Sequence, residues 1–326
     1  MKEKIITKKI LKWYDLNKRP LPWRKKVSVE KKQYFTLISE FMLQQTQVIT
    51  VIPFFNRFIK NLPSINSLAK VSEKKLIKLW EGLGYYSRAR NLKKSAQVIL
   101  KNFDGKLPDD FEDLITLPGI GNYTANAILA IAFNKPYIPL DGNIERVLKR
   151  YLYLKKDKEI QKDYLLQKKN VFGKTLRSSD YAQALMELGA LICKPNNPIC
   201  DQCPIIKNCK SYKKKDFILT KNIRKNKDKY FVLKVYKKNQ RYLLIKNTKF
   251  NFLKNLSIFP MEELSNPKNF NENLNFKMSN MNMNIKIEYS NDNKKFPYSY
   301  WVDGTKMSSY MLPSFTKKIV QYLEKN

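Results

Sequence analysis

The chain has 326 residues, 43% of them hydrophobic, which is long enough for two domains with ordinary cores. Lys and Arg total 63 against 28 acidic residues, and the resulting +35 attracts polyanions by releasing their counterions, so nucleic acid is the first partner to weigh even if a lysine- and asparagine-rich background supplies part of the charge. Histidine is absent, which removes the commonest general base and the commonest metal ligand and leaves carboxylates, Lys, Tyr and Cys for any chemistry.

In chain order, the start MKEKIITKKILKWYDLNK reads as an amphipathic helix rather than a targeting segment. No apolar run reaches the roughly 18 residues of a membrane span, so a soluble intracellular protein is expected, cytoplasmic and, if bacterial, nucleoid-associated, with no membrane partner. From residue 1 to about 210 apolar side chains recur at helical spacing. The breaks fall at RPLPW (19–23), NLPSI (61–65), EGLGYY (81–86), LPGIG (117–121) and PLDGN (139–143). Five of the nine glycines sit in the last three of these, which marks them as turns where backbone must come close to something.

Beyond the cysteines, residues 213–228 form a basic stretch with little apolar content, expected to link two domains. Residues 229–326 then read as a smaller α+β domain. KYFVLKVYKKNQRYLLIKN alternates and is expected to turn back on itself as a hairpin, and PSFTKKIVQYLEKN closes the chain as a short amphipathic helix.

Four constellations carry chemistry. In YFTLISEFMLQQ, residues 34–45, Glu40 stands among Phe35, Leu37, Ile38, Phe41, Met42 and Leu43, which leave almost no polar stripe on a helix. Glu40 is either the solvent side of that helix or a buried acid kept for chemistry. In LPGIGNYTAN the pair Gly119 and Gly121 precedes a helix start whose free N–H groups suit one DNA phosphate, and with DDFEDLITL before it the segment reads as a helix-hairpin-helix or a plain corner. In PLDGNIERVL, Asp141 precedes another helix, where it can cap. Such a cap is expected to lower its pKa, while burial raises that of Glu40, and two carboxylates so separated can break a glycosidic bond.

The fourth constellation is CKPNNPICDQCPIIKNC, with all four cysteines of the chain: Cys193, Cys200, Cys203 and Cys209. Disulfides are not expected in a cytosolic protein, so a four-thiolate metal site remains, zinc or an iron–sulfur cluster. Lys194, Lys207 and Lys210 would turn the outer face of the loop toward phosphate.

The hairpin LPGIGNYTAN, the LDGN after it and the C-x6-C-x2-C-x5-C cluster together resemble the endonuclease III superfamily of helix-hairpin-helix DNA glycosylases. ISEFMLQQTQVITVIPFF, LWEGLGYYSRARNL and MELGALIC narrow the resemblance, over residues 10 to 210, to the MutY-type adenine DNA glycosylases. That resemblance implies a mostly α, two-lobed catalytic region over 1–212 with a [4Fe–4S] cluster on the four cysteines, a basic linker over 213–228, and a smaller α+β, Nudix-like lesion-recognition domain over 229–326. It implies removal of adenine mispaired with 8-oxoguanine or guanine in double-stranded DNA, by a monomer.

By the same resemblance Glu40 donates a proton to the flipped adenine, Asp141 stabilises the sugar cation, Asn143 orients Asp141, and Tyr123 packs the site. Gln45 and Tyr85 enter the duplex with Leu43 nearby, Trp23 and Arg24 line the adenine pocket, and Gly119 and Gly121 shape the hairpin. Tyr123 occupies the position where bifunctional relatives carry the Schiff-base lysine, so hydrolysis without strand cleavage is expected.

The likeness weakens after residue 229. NFLKNLSIFP is a worn form of the W-x-GLW-x-FP pattern without its glycines, and the family's Phe-Ser-His loop has Tyr289-Ser290-Asn291 as its nearest counterpart. No catalytic box of glutamates suggests pyrophosphate hydrolysis. Two rivals are a mismatch thymine or uracil glycosylase of the same superfamily and a non-catalytic basic DNA-binding protein, and only an enzyme needs the Glu40 and Asp141 pair.

Overall fold

The computed structural model describes residues 5–154, 164–217 and 226–325, apart from 266, 268, 269, 279, 280, 293, 294 and 311. Residues 1–4 of the expected first helix and residues 218–225 of the expected linker lie outside the described residues. The chain forms two compact units: Met1–Glu73 with Ser87–Lys221, and Lys74–Tyr86 with Asn222–Asn326.

The first unit is helical. It holds α1 (Ile5–Asn17), α2 (Val29–Leu43), α3 (Val48–Asn61), α4 (Ile65–Lys70), α6 (Ser87–Asn102), α7 (Phe111–Thr116), α8 (Asn122–Ile131), α9 (Gly142–Leu152), α10 (Ser178–Glu187) and α11 (Lys210–Lys213). The Ser28 side chain accepts the Lys31 amide and starts α2, and residues 36–42 of that helix are all buried, so the second half of α2 is enclosed on every side. It packs against α3, α6 and α8. A second core joins Ile10, Leu11 and Tyr14 of α1 to Ile144, Val147 and Leu148 of α9 and Tyr181 and Leu185 of α10. Among the described residues no helix is long and apolar enough to cross a membrane.

The hairpin between α7 and α8 depends on one glycine. Leu117 ends α7, Gly119 adopts φ +83°, and a Cβ there would sit 2.8 Å from the Asn91 Cβ and 2.9 Å from the Phe41 ring. Both the left-handed backbone and the close approach of α2 and α6 demand glycine. Gly121, at φ −105° with open space around it, is under neither constraint.

The second unit is built on two sheets. One has the order β5 (Met261–Leu264), β1 (Lys227–Val235), β7 (Met281–Tyr289), β6 (Leu274–Met278), with β1 and β7 parallel along their whole length. In the other, β3 (Arg241–Lys246) pairs with β2 (Lys237–Lys238), β4 (Ser257–Ile258) and β8 (Ser299–Asp303), all antiparallel. Both sheets and α12 (Ser314–Leu323) share one core around Phe231, Leu244, Phe259, Met283 and Ile319. α5 (Glu73–Trp80) lies mostly in this unit, where Lys317 of α12 pairs with Glu81 just beyond it.

The long hairpin expected over KYFVLKVYKKNQRYLLIKN does not form. Only the two-residue β2 folds back on β3, while β1 passes into the other sheet and takes β5 and β7 as neighbours. Alternation identified strands correctly but carries no information about which strand is the partner, and β1 pairs with β7 from Lys227 to Val235.

Gly119→Ala should destabilise the protein by about 2 kcal/mol or more, because it adds both backbone strain and overlap, whereas Gly121→Ala should leave it nearly unchanged. Thermal unfolding of the two variants checks the contrast.

Candidate active site

A cavity of about 800 Å³ opens within the first unit, large enough for a nucleoside-sized ligand. Glu40 enters from the middle of α2, Tyr123 from the first turn of α8, and Asp141 and Asn143 from the start of α9. Trp23, Arg24, Leu43 and Gln45 line the same space.

Glu40 is 6% exposed. Loss of hydration is the largest influence on it and raises its pKa from 4.5 to about 7. A hydrogen bond from the Tyr123 hydroxyl and the charge of Arg24 work against that rise, while the nearby Asp141 carboxylate adds to it. Tyr123 is itself held as a neutral phenol by burial and by the two carboxylates.

Asp141 departs from the expectation drawn from its sequence position. It does cap α9: Oδ1 accepts the Ile144 amide at 2.7 Å and Oδ2 accepts Asn143 Nδ2 at 2.8 Å. Its pKa is nevertheless raised rather than lowered, because burial outweighs those bonds and the pull of Arg146. Burial thus raises both carboxyls, and they differ in that more hydrogen bonds favour the anion at Asp141 than at Glu40.

The bonds run on beyond Asp141. Asn143 Oδ1 accepts Arg146 Nη2 at 2.8 Å, and Arg146 also donates to the carbonyls of Gly189 (2.7 Å) and Cys193 (2.7 Å). Gly189 belongs to a π-helical turn, Leu188–Ile192, that prolongs α10, and a Cβ on it would sit 2.6 Å from the Asn143 Cβ. Small size at residue 189 therefore lets Asn143 reach Asp141.

Sequence reasoning missed the support under Arg24. Glu187 is fully buried on α10 and pairs with Arg24 (2.5 Å) and Arg19 (2.8 Å), and Gln183, one turn earlier, accepts Arg24 Nε at 2.7 Å. The signal that singled out Glu40, a lone acid in an apolar helix, is equally present in ALMELGAL around Glu187. Two arginines distinguish the second acid from the first.

Other expected residues lie elsewhere. Tyr85, 44% exposed at φ +46°, belongs to the second unit and does not line the cavity. The free N-terminus of α8 has no side-chain cap at Gly121, which leaves its first amides open to an anion. Tyr289, 62% exposed, ends β7, and the Ser290 amide donates to the Val235 carbonyl. Asn255, at the position where the W-x-GLW-x-FP pattern has glycine, adopts φ +62°, a conformation asparagine tolerates.

The four cysteines line one small cavity of about 30 Å³ together with Arg150. Arg150 is 3% exposed; its Nη1 lies 3.5 Å from the Cys193 Sγ and donates to the Lys194 carbonyl, while Nη2 and Nε meet the carbonyls of Pro195 and Phe217. Burial pushes the Cys203 thiol up to about 12 and raises Cys200 and Cys209 as well. Thiolates gathered here would need a cationic centre to offset that cost.

Residues 38–169 match the family model for HhH-GPD superfamily base excision DNA repair proteins. The adenine DNA glycosylase of Buchnera aphidicola subsp. Schizaphis graminum is 40% identical over 266 residues, 78% of this chain and 74% of that protein. The human adenine DNA glycosylase is 39% identical over 209 residues, 62% of this chain and 38% of its own length. Among solved structures, a thermostable thymine-DNA glycosylase is similar at TM-score 0.57 and 26% identity, over 64% of this chain and 96% of its own.

The chain belongs to the adenine DNA glycosylases of the HhH-GPD superfamily of base excision DNA repair proteins. It is a DNA-binding enzyme that hydrolyses N-glycosidic bonds.

The raised pKa of Glu40 has a consequence for stability. A carboxyl that binds its proton more tightly when folded contributes stability that is complete below its unfolded value, near 4.5, and is lost as pH rises through about 7. Glu40→Gln should therefore unfold at a temperature close to wild type at pH 4.5 and higher than wild type at pH 8, by an amount equivalent to about 3 kcal/mol. Calorimetry across that range checks it.

Proposed function

We propose that this enzyme removes adenine mispaired with 8-oxoguanine or guanine from double-stranded DNA, by hydrolysis and without cleaving the strand. The observation that carries the reading is the pair of carboxyls on one cavity, Glu40 at about 7 in its apolar helix and Asp141 held by two hydrogen bonds at the start of α9.

Adenine must first leave the base stack, at a cost of about a few kcal/mol. Trp23 and Arg24 would line its pocket, with Gln45 and Leu43 at the rim and Tyr85 as a second wedge. Glu40, which at a pKa of about 7 keeps a large protonated fraction near neutral pH, gives its proton to a ring nitrogen of the base, so that the electrons of the C1′–N9 bond leave with a neutral adenine. The Asp141 carboxylate, oriented by Asn143, stabilises the oxocarbenium-like sugar. A water then adds to C1′ and its proton returns to Glu40. Tyr123 offers a phenol where a Schiff-base route requires an amine, which supports the monofunctional assignment.

Base release needs Glu40 protonated and Asp141 ionised. Activity should then fall as pH rises through about 7, and fall again on the acid side at a midpoint above the 3.8 of an ordinary aspartate. The amides of α8 beyond Gly119 and Gly121, with the surplus of basic residues, would hold the phosphate backbone.

The same reading assigns a [4Fe–4S] cluster to Cys193, Cys200, Cys203 and Cys209. The four thiols share one cavity, which supports a four-thiolate group there. When bound, the cluster would tie residues 193–209 together and supply a redox-active centre. Residues 1–212 would be the catalytic region, 213–228 a basic linker, and 229–326 a Nudix-like domain that reads the base opposite adenine, with Tyr289-Ser290-Asn291 in place of the family's histidine-bearing loop. Asparagine there keeps hydrogen bonding but carries no charge.

Likeness to a thymine-DNA glycosylase keeps thymine or uracil as the alternative substrate. Single-turnover cleavage of duplexes carrying A, T or U opposite 8-oxoguanine or guanine separates the two. Release of adenine alone, with strand breaks only after alkali, is the expected result, and release of thymine or uracil instead would overturn the substrate assignment. Glu40→Gln and Asp141→Asn should each slow adenine release by about a hundredfold or more while duplex binding persists. Purified protein should carry iron; one equivalent of zinc in its place would refute the cluster.

A further inference from the structure

The end of α2 is held by a residue that the reaction above does not use. Helix C-termini leave carbonyls without intrahelical partners, and a glycine turn commonly relieves them. α2 instead runs out through Gln44 and Gln45, and Gln45 takes φ +58°, a conformation that side-chain-bearing residues rarely adopt. Arg88, 7% exposed on the first turn of α6, reaches this end. Its Nη1 donates to the carbonyls of Phe41 (3.1 Å), Met42 (2.8 Å) and Gln44 (2.5 Å), and its Nη2 to Thr46 Oγ1 (3.0 Å). Gln44 Nε2 donates in turn to the Gly119 carbonyl at 3.3 Å, which joins the turn to the hairpin.

A buried guanidinium gathered by four oxygens of one turn fixes that turn more firmly than an exposed residue could, because each donor it lost would go unsatisfied. The turn sets Gln45, exposed, on the rim of the cavity that holds Glu40. A side chain that fills the space left by an extruded base helps only when its backbone already stands in place, since ordering it during opening would consume the gain.

We propose that Arg88 is a positioning residue for base extrusion, locking the end of α2 in the left-handed turn that holds Gln45 at the cavity mouth. The proposal rests on the reaction proposed above.

The test compares wild type with Arg88→Lys and, separately, with Thr46→Val, which removes one of the four contacts. Fluorescence of 2-aminopurine placed in the adenine position reports unstacking. Single-turnover release of adenine is measured in the mispaired duplex and in a duplex where adenine faces an abasic site and opens with less effort. Arg88→Lys should slow unstacking and release from the mispair by about tenfold each, and release from the unopposed adenine by less than about threefold. The pH midpoint of release should not move. Thr46→Val should shift the same readouts in the same direction by a smaller factor. Unchanged unstacking, or equal losses on the two duplexes, would overturn the proposal. Should Arg88→Lys fail to fold, Thr46→Val decides alone, and wild-type behaviour in it counts against the proposal. If wild type itself releases no adenine, the reaction is at fault rather than Arg88.

Discussion

The chemistry of this chain depends on withholding water from one carboxyl. Glu40 sits in a helix whose residues 36–42 are all buried, and the lost hydration outweighs both the Tyr123 hydroxyl and the Arg24 charge. Without histidine, no other side chain would readily supply a proton near neutral pH. The enclosure of α2 by α3, α6 and α8 is thus as much a part of the site as Glu40 itself.

Asp141 shows how the same burial is moderated. Its bonds from Ile144 and Asn143 favour the anion and work against the rise that burial imposes. Asn143 can hold that place because Gly189 lets the π turn approach closely and Arg146 fastens Asn143 from the other side. Two acids in one cavity are thereby given different hydrogen-bond surroundings, with more bonds that favour the anion at Asp141.

The helical half of the fold, the smaller sheet-bearing part and the position of the hairpin were legible because each rests on local signals: apolar spacing, glycine pairs and capping residues. Strand partners were not, as β1 shows by leaving β2 and β3 for β5 and β7. The membership of Lys74–Tyr86 in the second unit was equally hidden, since it depends on contacts with residues far along the chain. At the site, a lone acid in an apolar helix marked Glu40 and would have marked Glu187 with equal force. Only the structure shows that Arg19 and Arg24 neutralise Glu187. The cap on Asp141 was visible in LDGN, but its burial was not, and burial decided the direction of its pKa. The role of Arg88 was not legible, because three of its four partners are main-chain carbonyls that any sequence would supply.

The most direct test is to titrate Glu40 itself. Carbon-13 NMR of protein labelled at the glutamate side-chain carboxyl, with Glu40→Gln to assign the resonance, should show one carboxyl with a midpoint near 7, well apart from the surface glutamates. A midpoint close to 4.5 would mean that Glu40 is already ionised at neutral pH, and the account of it as a proton donor would fail.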